Sequence, residues 1–192
     1  DSPITSRVPF NGSDGLVIED LDRDGFIDIV SVHESDATYD SAEHDPDFEE
    51  SSLGHVRISF GSFDPKIWTS VTLAEGEIVS SPEDAAIQDL NGDGFLDILV
   101  AAENGHVVFF QNPGKDIRTR TWPSRIIPMT QGRGSFLRVF AADFNSDGKP
   151  EIVSPNKGAQ RPGPSDFSKS NPVSIFSISG NPLQSESWSE TI

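Results

Sequence analysis

The chain has no cysteine, which removes disulfide frameworks, thiol nucleophiles and thiolate metal sites together. It is also poor in positive charge: 14 lysines and arginines stand against 31 aspartates and glutamates, for a formal net charge of −17. Nucleic-acid binding asks for a basic face, so this balance argues against that class of partner. No apolar run is long enough to span a membrane, and no stretch of eleven residues holds a 3.6-residue amphipathic period, so no helix is expected. Nucleophile-elbow, phosphate-loop and paired-histidine zinc motifs are missing too, and no catalytic residue can be named. Glycine (16), proline (14) and phenylalanine (13) are plentiful, a mixture that suits short strands and tight turns. A length of 192 residues allows one domain or two small ones.

The informative stretch runs from Asp89 to Asp97. Asp89, Asn91, Asp93 and Asp97 occupy its first, third, fifth and ninth positions, and glycine the sixth. Alternate residues of a tight loop turn their side chains inward, so these four oxygen donors can converge while the Phe95 carbonyl adds a main-chain oxygen. Hard oxygen ligands of this number and flexibility suit Ca²⁺ better than Mg²⁺. Gly94 sits where the chain turns sharply and is expected at positive φ. A single such stretch could be an Asx-rich turn. The pattern recurs, however, at Asp20, Asp22, Asp24 and Asp28 with Phe26 at the seventh position, and at Asp143, Asn145, Asp147 and Glu151 with Lys149 at the seventh.

An EF-hand would need a glutamate at the twelfth position and flanking helices. Ser31, Val100 and Ser154 stand there instead, and the segments after the glycines are short, apolar and β-branched. These are loops leading into strands. They hold ten of the 31 acidic residues, and three Ca²⁺ ions would bring the formal balance from −17 to −11. Weak Ca²⁺ loops fill only where the ion is abundant, which favours a secreted, periplasmic or cell-surface setting. No signal peptide is visible from Asp1 onward, so a targeting segment is expected to have been removed or to lie outside these residues.

Each loop is framed by the same parts in the same order. Leu16–Ile18 precedes the first loop; a strand to about Val32, His55–Phe60 and Thr69–Leu73 come after it. Asp84–Gln88, Leu96–Ala102, His106–Gln111 and a strand beyond Trp122 frame the second, with a hairpin at Asn104-Gly105. Leu137–Ala142, Glu151–Val153, Val173–Ile178 and Trp188–Ile192 frame the third. Trp68, Trp122 and Trp188 each open the last strand of a repeat, as packing aromatics rather than sugar-stacking platforms. The expected fold is all-β: one β-propeller segment of about three four-stranded antiparallel blades, at 12–74, 82–128 and 136–192.

With these loops and the tail Gly105 to Gly114, the sequence resembles the FG-GAP/VCBS-type calcium-binding β-propeller repeats of integrin-like and secreted microbial proteins. The resemblance implies one ion at Asp20, Asp22, Asp24 and Asp28, a second at Asp89, Asn91, Asp93 and Asp97, and a third at Asp143, Asn145, Asp147 and Glu151, each mainly structural. It is specific for fold and calcium and unspecific for function.

Binding work is expected where the repeats differ, between their second and third strands. Insertion 35–53 is strongly acidic and contains Tyr39; insertion 158–172 contains Arg161 and comes directly after Lys157. A solvated loop is the plain alternative for the first. His33, Glu34, Tyr39, Glu103, Lys157 and Arg161 could form one polar pocket there. The favoured reading is a non-catalytic calcium-stabilised module that binds a carbohydrate or protein partner. The alternative, a polysaccharide lyase or other sugar-active propeller enzyme, rests on fold analogy, and a structural adhesion segment is a third. Residues 5–10 resemble Pro123–Pro128, a fourth strand, so residues 1–11 are read as the outer strand of a preceding blade. Three blades leave their end faces exposed; the remaining blades are expected from the same longer chain or from a second copy.

Overall fold

The computed structural model describes residues 13–34, 54–103, 105–118, 121–133, 135–157 and 173–192. The segment 5–10, the body of both insertions, Tyr39 and Arg161 lie outside them.

Twelve strands form three four-stranded antiparallel sheets, each in simple chain order. The first sheet contains β1 (Ser13–Glu19), β2 (Asp28–His33), β3 (His55–Phe60) and β4 (Thr69–Glu75). The second contains β5 (Pro82–Gln88), β6 (Asp97–Ala102), β7 (Val107–Phe110) and β8 (Ser124–Ile126). The third contains β9 (Phe140–Ala142), β10 (Glu151–Pro155), β11 (Val173–Ile178) and β12 (Trp188–Thr191). No α-helix occurs among the described residues; short 3₁₀ turns fill some of the connections. β1 lies alongside β5 and β5 alongside β9, so the first strands of the sheets are neighbours and the sheets stack as blades of an open, partial propeller.

Pleating explains the core. Ile98 and Val100 of β6 face the first sheet and pack with Val30, Val32, Ile58 and Phe60, whereas Leu99 and Ala101 face the third and pack with Ile152, Phe176 and Trp188. The middle sheet is therefore apolar on both faces. Each fully buried large side chain in these layers contributes about 1.5–3 kcal/mol of transfer free energy. The outer sheets have only one covered face. Leu16 and Ile18 of β1 are 57% and 55% exposed, and Phe140, Val173 and Ile175 carry the exposed apolar surface at the other end.

Each tryptophan makes the same contact. Its indole N–H donates to a carbonyl five or six residues earlier, Trp68 to Ser62 (3.1 Å), Trp122 to Ile117 (3.3 Å) and Trp188 to Pro182 (2.8 Å). In each case the N–H ties down the loop before the last strand, and the Trp188 ring also meets Phe109 of the second sheet edge-on, centroids 6.2 Å apart. The first strand of the third sheet starts later than Leu137. There the Val139 amide is diverted to Asp84 Oδ2 of the second sheet (3.1 Å), and Phe136 makes only an isolated bridge with Asn156.

Candidate metal loops and the opposite end

The three acidic loops are the β1–β2, β5–β6 and β9–β10 connections and lie at one end of the sheets. They share one hydrogen-bond frame. In each, the glycine amide at the sixth position donates to the first-position aspartate: Gly25 to Asp20 (3.0 Å), Gly94 to Asp89 (2.8 Å) and Gly148 to Asp143 (2.8 Å). The fifth-position amide donates to the third side chain: Asp24 to Asp22 (3.3 Å), Asp93 to Asn91 (2.9 Å) and Asp147 to Asn145 (2.8 Å). The seventh-position amide donates to the fifth carboxylate: Phe26 to Asp24, Phe95 to Asp93 and Lys149 to Asp147. The glycines sit at φ 90°, 88° and 86°, in the left-handed region where a Cβ is strained.

The ninth position differs from the others because it is buried. Asp28 accepts from the amides of Leu21 and Gly61, and Asp97 from those of Leu90 and Asn112, all between 2.9 and 3.0 Å. Each carboxylate thus staples its own loop to the end of the third strand. A Cβ at Gly61 would stand 2.2 Å from the Ile27 carbonyl oxygen, so this close approach requires glycine. The longer Glu151 keeps the first contact, to Phe144 N (3.0 Å), and turns its other oxygen to Asn145 Nδ2 (2.7 Å). Burial raises the pKa of Asp28 and pushes that of Asp97 to about 7; the amide donors lower both, and neighbouring loop aspartates raise them. A buried carboxylate of this kind is relieved by a cation.

The donor set of the first loop is gathered as a hard divalent ion requires. Asp20, Asp22 and Asp28 each offer one oxygen within 4.8 Å of the others. The second and third loops place an amide oxygen in the third position and their donors are also oxygen, but their three carboxylates are not gathered as closely as those of the first loop. Asp20, Asp22, Asp24 and Asp28, with their counterparts in the other two loops, are the residues that would hold the ions.

The loops also interlock. Arg118, in the β7–β8 connection, reaches the first loop: its Nε lies 2.6 Å from Asp22 Oδ2 and its Nη2 lies 2.9 Å from Asp24 Oδ2. Its guanidinium carbon is 4.7 Å from the centre of the Phe60 ring. Arg23 of the first loop lies 4.8 Å over Phe95 of the second. Asn112 Nδ2 bonds the carbonyls of Leu96 (3.0 Å) and Leu21 (3.3 Å), bridging second and first sheets. Arg118 carried no signal in sequence, because its partners are more than ninety residues away.

At the opposite end, Glu34 follows β2, Glu103 follows β6 and Lys157 follows β10, which brings three of the expected residues to one face. Lys157 forms an ion pair with Glu103. Glu83 of β5, not anticipated, joins them: oxygens of Glu34, Glu83 and Glu103 lie within 4.8 Å of one another. Burial, then the charges of Glu34, Glu103 and Asp14, raise the Glu83 pKa to about 7, against the lowering effect of Arg138. His33 is buried. It stacks on His55 across the β2–β3 pair, centroids 4.5 Å apart, with its Nε2 2.9 Å from Ser31 Oγ. Burial, His33 and Arg57 push the His55 pKa down to about 4.

Residues 89–154, from the second loop through β10, match the family model of the FG-GAP-like repeat. No curated protein matches the chain.

Proposed function

We propose that the chain is a calcium-stabilised β-propeller binding module that works in a secreted, periplasmic or cell-surface setting. It recognises a carbohydrate or a protein partner through the end that carries insertions 35–53 and 158–172. The observation that carries this reading is the difference between the two ends of the sheets. One end repeats a single hydrogen-bond frame three times, as suits ions that hold structure. The other varies from sheet to sheet and gathers Glu34, Glu83, Glu103 and Lys157 where the insertions leave the fold, a polar arrangement suited to hydroxyl-rich or charged ligands. On the same reading, the apolar surfaces left on the outer sides of the first and third sheets are covered by further blades, from a longer chain or a second copy.

The test pairs binding on a glycan array with thermal melting. Lys157→Ala should weaken binding and leave the melting temperature in place, whereas Asp93→Ala should lower the melting temperature and bind normally below it. An Asp93 variant that melts normally yet loses its ligand would show that the ion serves recognition instead of structure. Release of unsaturated uronate from acidic glycans, read by absorbance, would replace the binding reading with the lyase one.

A further inference from the structure

We propose that Arg118 is a tethered cation of the first loop: supplied by the neighbouring sheet, it neutralises Asp22 and Asp24 in the calcium-free protein, and a divalent ion binds this loop only in competition with it. This rests on the calcium reading of the loops and adds to it a residue that sets the affinity of one site.

Three observations carry it. First, the oxygens are apportioned. Oδ1 of Asp22 accepts from Asp24 N and Oδ1 of Asp24 from Phe26 N, while Oδ2 of both faces the guanidinium at 2.6 and 2.9 Å. These are charge-assisted bonds, about twice as strong as neutral ones. Second, the arginine is held in place. The Phe60 ring, itself fully buried, lies 4.7 Å beneath it and backs the guanidinium on one face.

Third, the charge count singles out this loop. The first loop presents four carboxylates, Asp20, Asp22, Asp24 and Asp28, where each of the others presents three and an asparagine. At these ligand positions one guanidinium brings the first loop's charge to that of its counterparts; Arg23, within the first loop, lies instead over Phe95 of the second and, among the described residues, forms no ion pair with these carboxylates. Among the described residues, no lysine or arginine forms an ion pair with Asp89, Asp93, Asp143 or Asp147. Asp93 is met by the Asn91 amide (2.8 Å) and Glu151 by the Asn145 amide. The loop with four carboxylates at its ligand positions is thus the one given a cation from the neighbouring sheet, and that cation repels any divalent ion entering it.

Calorimetric titration of the whole chain with CaCl₂ tests this. Arg118→Met keeps the contact with Phe60 and removes the charge. It should tighten one Ca²⁺ site by about tenfold or more, while the other two keep their affinities. Adding Asp22→Asn to that variant should cancel most of the gain, which assigns it to the first loop. In chelator, Arg118→Met should melt below the wild type, and millimolar Ca²⁺ should close the gap. Should the variant fail to fold, the wild type still decides: the Arg118 Nε–H cross-peak must shift as Ca²⁺ is added. Binding heat from the other loops with an unmoved cross-peak, or unchanged affinities in Arg118→Met, overturns this proposal alone. Absence of binding heat from every protein overturns the calcium reading, and the competition with it.

Discussion

The first and second loops share a motif and a hydrogen-bond frame, yet their charges are balanced in different ways. Asp22 and Asp24 meet an arginine from the adjacent sheet, whereas Asp93 meets neutral groups of its own loop, the Asn91 side-chain amide and the Phe95 N–H. The difference separates two properties that are easily credited to one motif. Backbone shape comes from side chains bonding amides two to seven residues away, so any copy of the pattern reproduces it. Charge balance depends on what the neighbouring sheet brings. Two copies can therefore look alike as loops and differ in charge balance.

The largest effect is expected where the loops agree. Asp97→Ala removes the buried acceptor of the Leu90 and Asn112 amides and leaves two buried donors unpaired, at about 1–3 kcal/mol each. Asp28→Ala does the same to Leu21 and Gly61. Chemical denaturation should show both variants losing several kcal/mol. A loss confined to one of them would break the shared frame.

Removal of calcium comes next. Loops with dissociation constants of about 10⁻⁴ to 10⁻³ M add on the order of 1 kcal/mol each at millimolar Ca²⁺, so a chelator should lower the melting temperature. Identical melts with and without chelator would count against bound ions. The drop should come mainly from the second and third loops, because the first retains Arg118.

A smaller effect concerns pH without calcium. The Asp97 pKa is raised to about 7 from an ordinary 3.8, so the folded state holds this proton more tightly than the unfolded one. Its contribution is complete below about pH 4 and fades as pH rises through 7; Glu83 acts in the same direction. His55 opposes them. With its pKa lowered from 6.5 to about 4, its contribution is intact above 6.5 and fades as pH falls toward 4. In chelator, His55→Phe should therefore unmask a steady loss of stability from pH 4 to 7, and Ca²⁺ should flatten it. Melts at stepped pH that rise over this range would contradict the assignment.

The smallest effect sharpens the comparison most. In chelator, Asp24→Asn gives up an ion pair whose partners are each over a third exposed, which limits the loss to about 0.5 kcal/mol. Asp147→Asn, at the same position of the third loop, gives up no ion pair and relieves repulsion, so it should not destabilise. Equal losses from the two variants would mean that Arg118 contributes nothing to the first loop.

What the amino-acid sequence determined alone is whatever acts over short range. The loops were legible because their oxygen-bearing side chains fall within nine residues and most of their bonds go to amides of the same nine; the exceptions among amides are those of Gly61 and Asn112, bonded by Asp28 and Asp97. The strands were legible because the runs after the loop glycines are short, apolar and β-branched, although which sheet Ile98 and Val100 or Leu99 and Ala101 would face was decided by packing. The indole contacts of Trp68, Trp122 and Trp188 also span only five or six residues, although nothing in the sequence names the carbonyl that each one chooses. The tertiary structure decided everything that depends on which sheet stands beside which. It set Arg118 against Asp22 across 96 positions and Asn112 against Leu21 across 91. It drew Glu83 to Glu34 and Glu103, and it stacked His33 on His55. The physical reason is distance along the chain. Bonds within a loop are closed by local backbone geometry, whereas charges from separate sheets meet only after the apolar faces between them have packed.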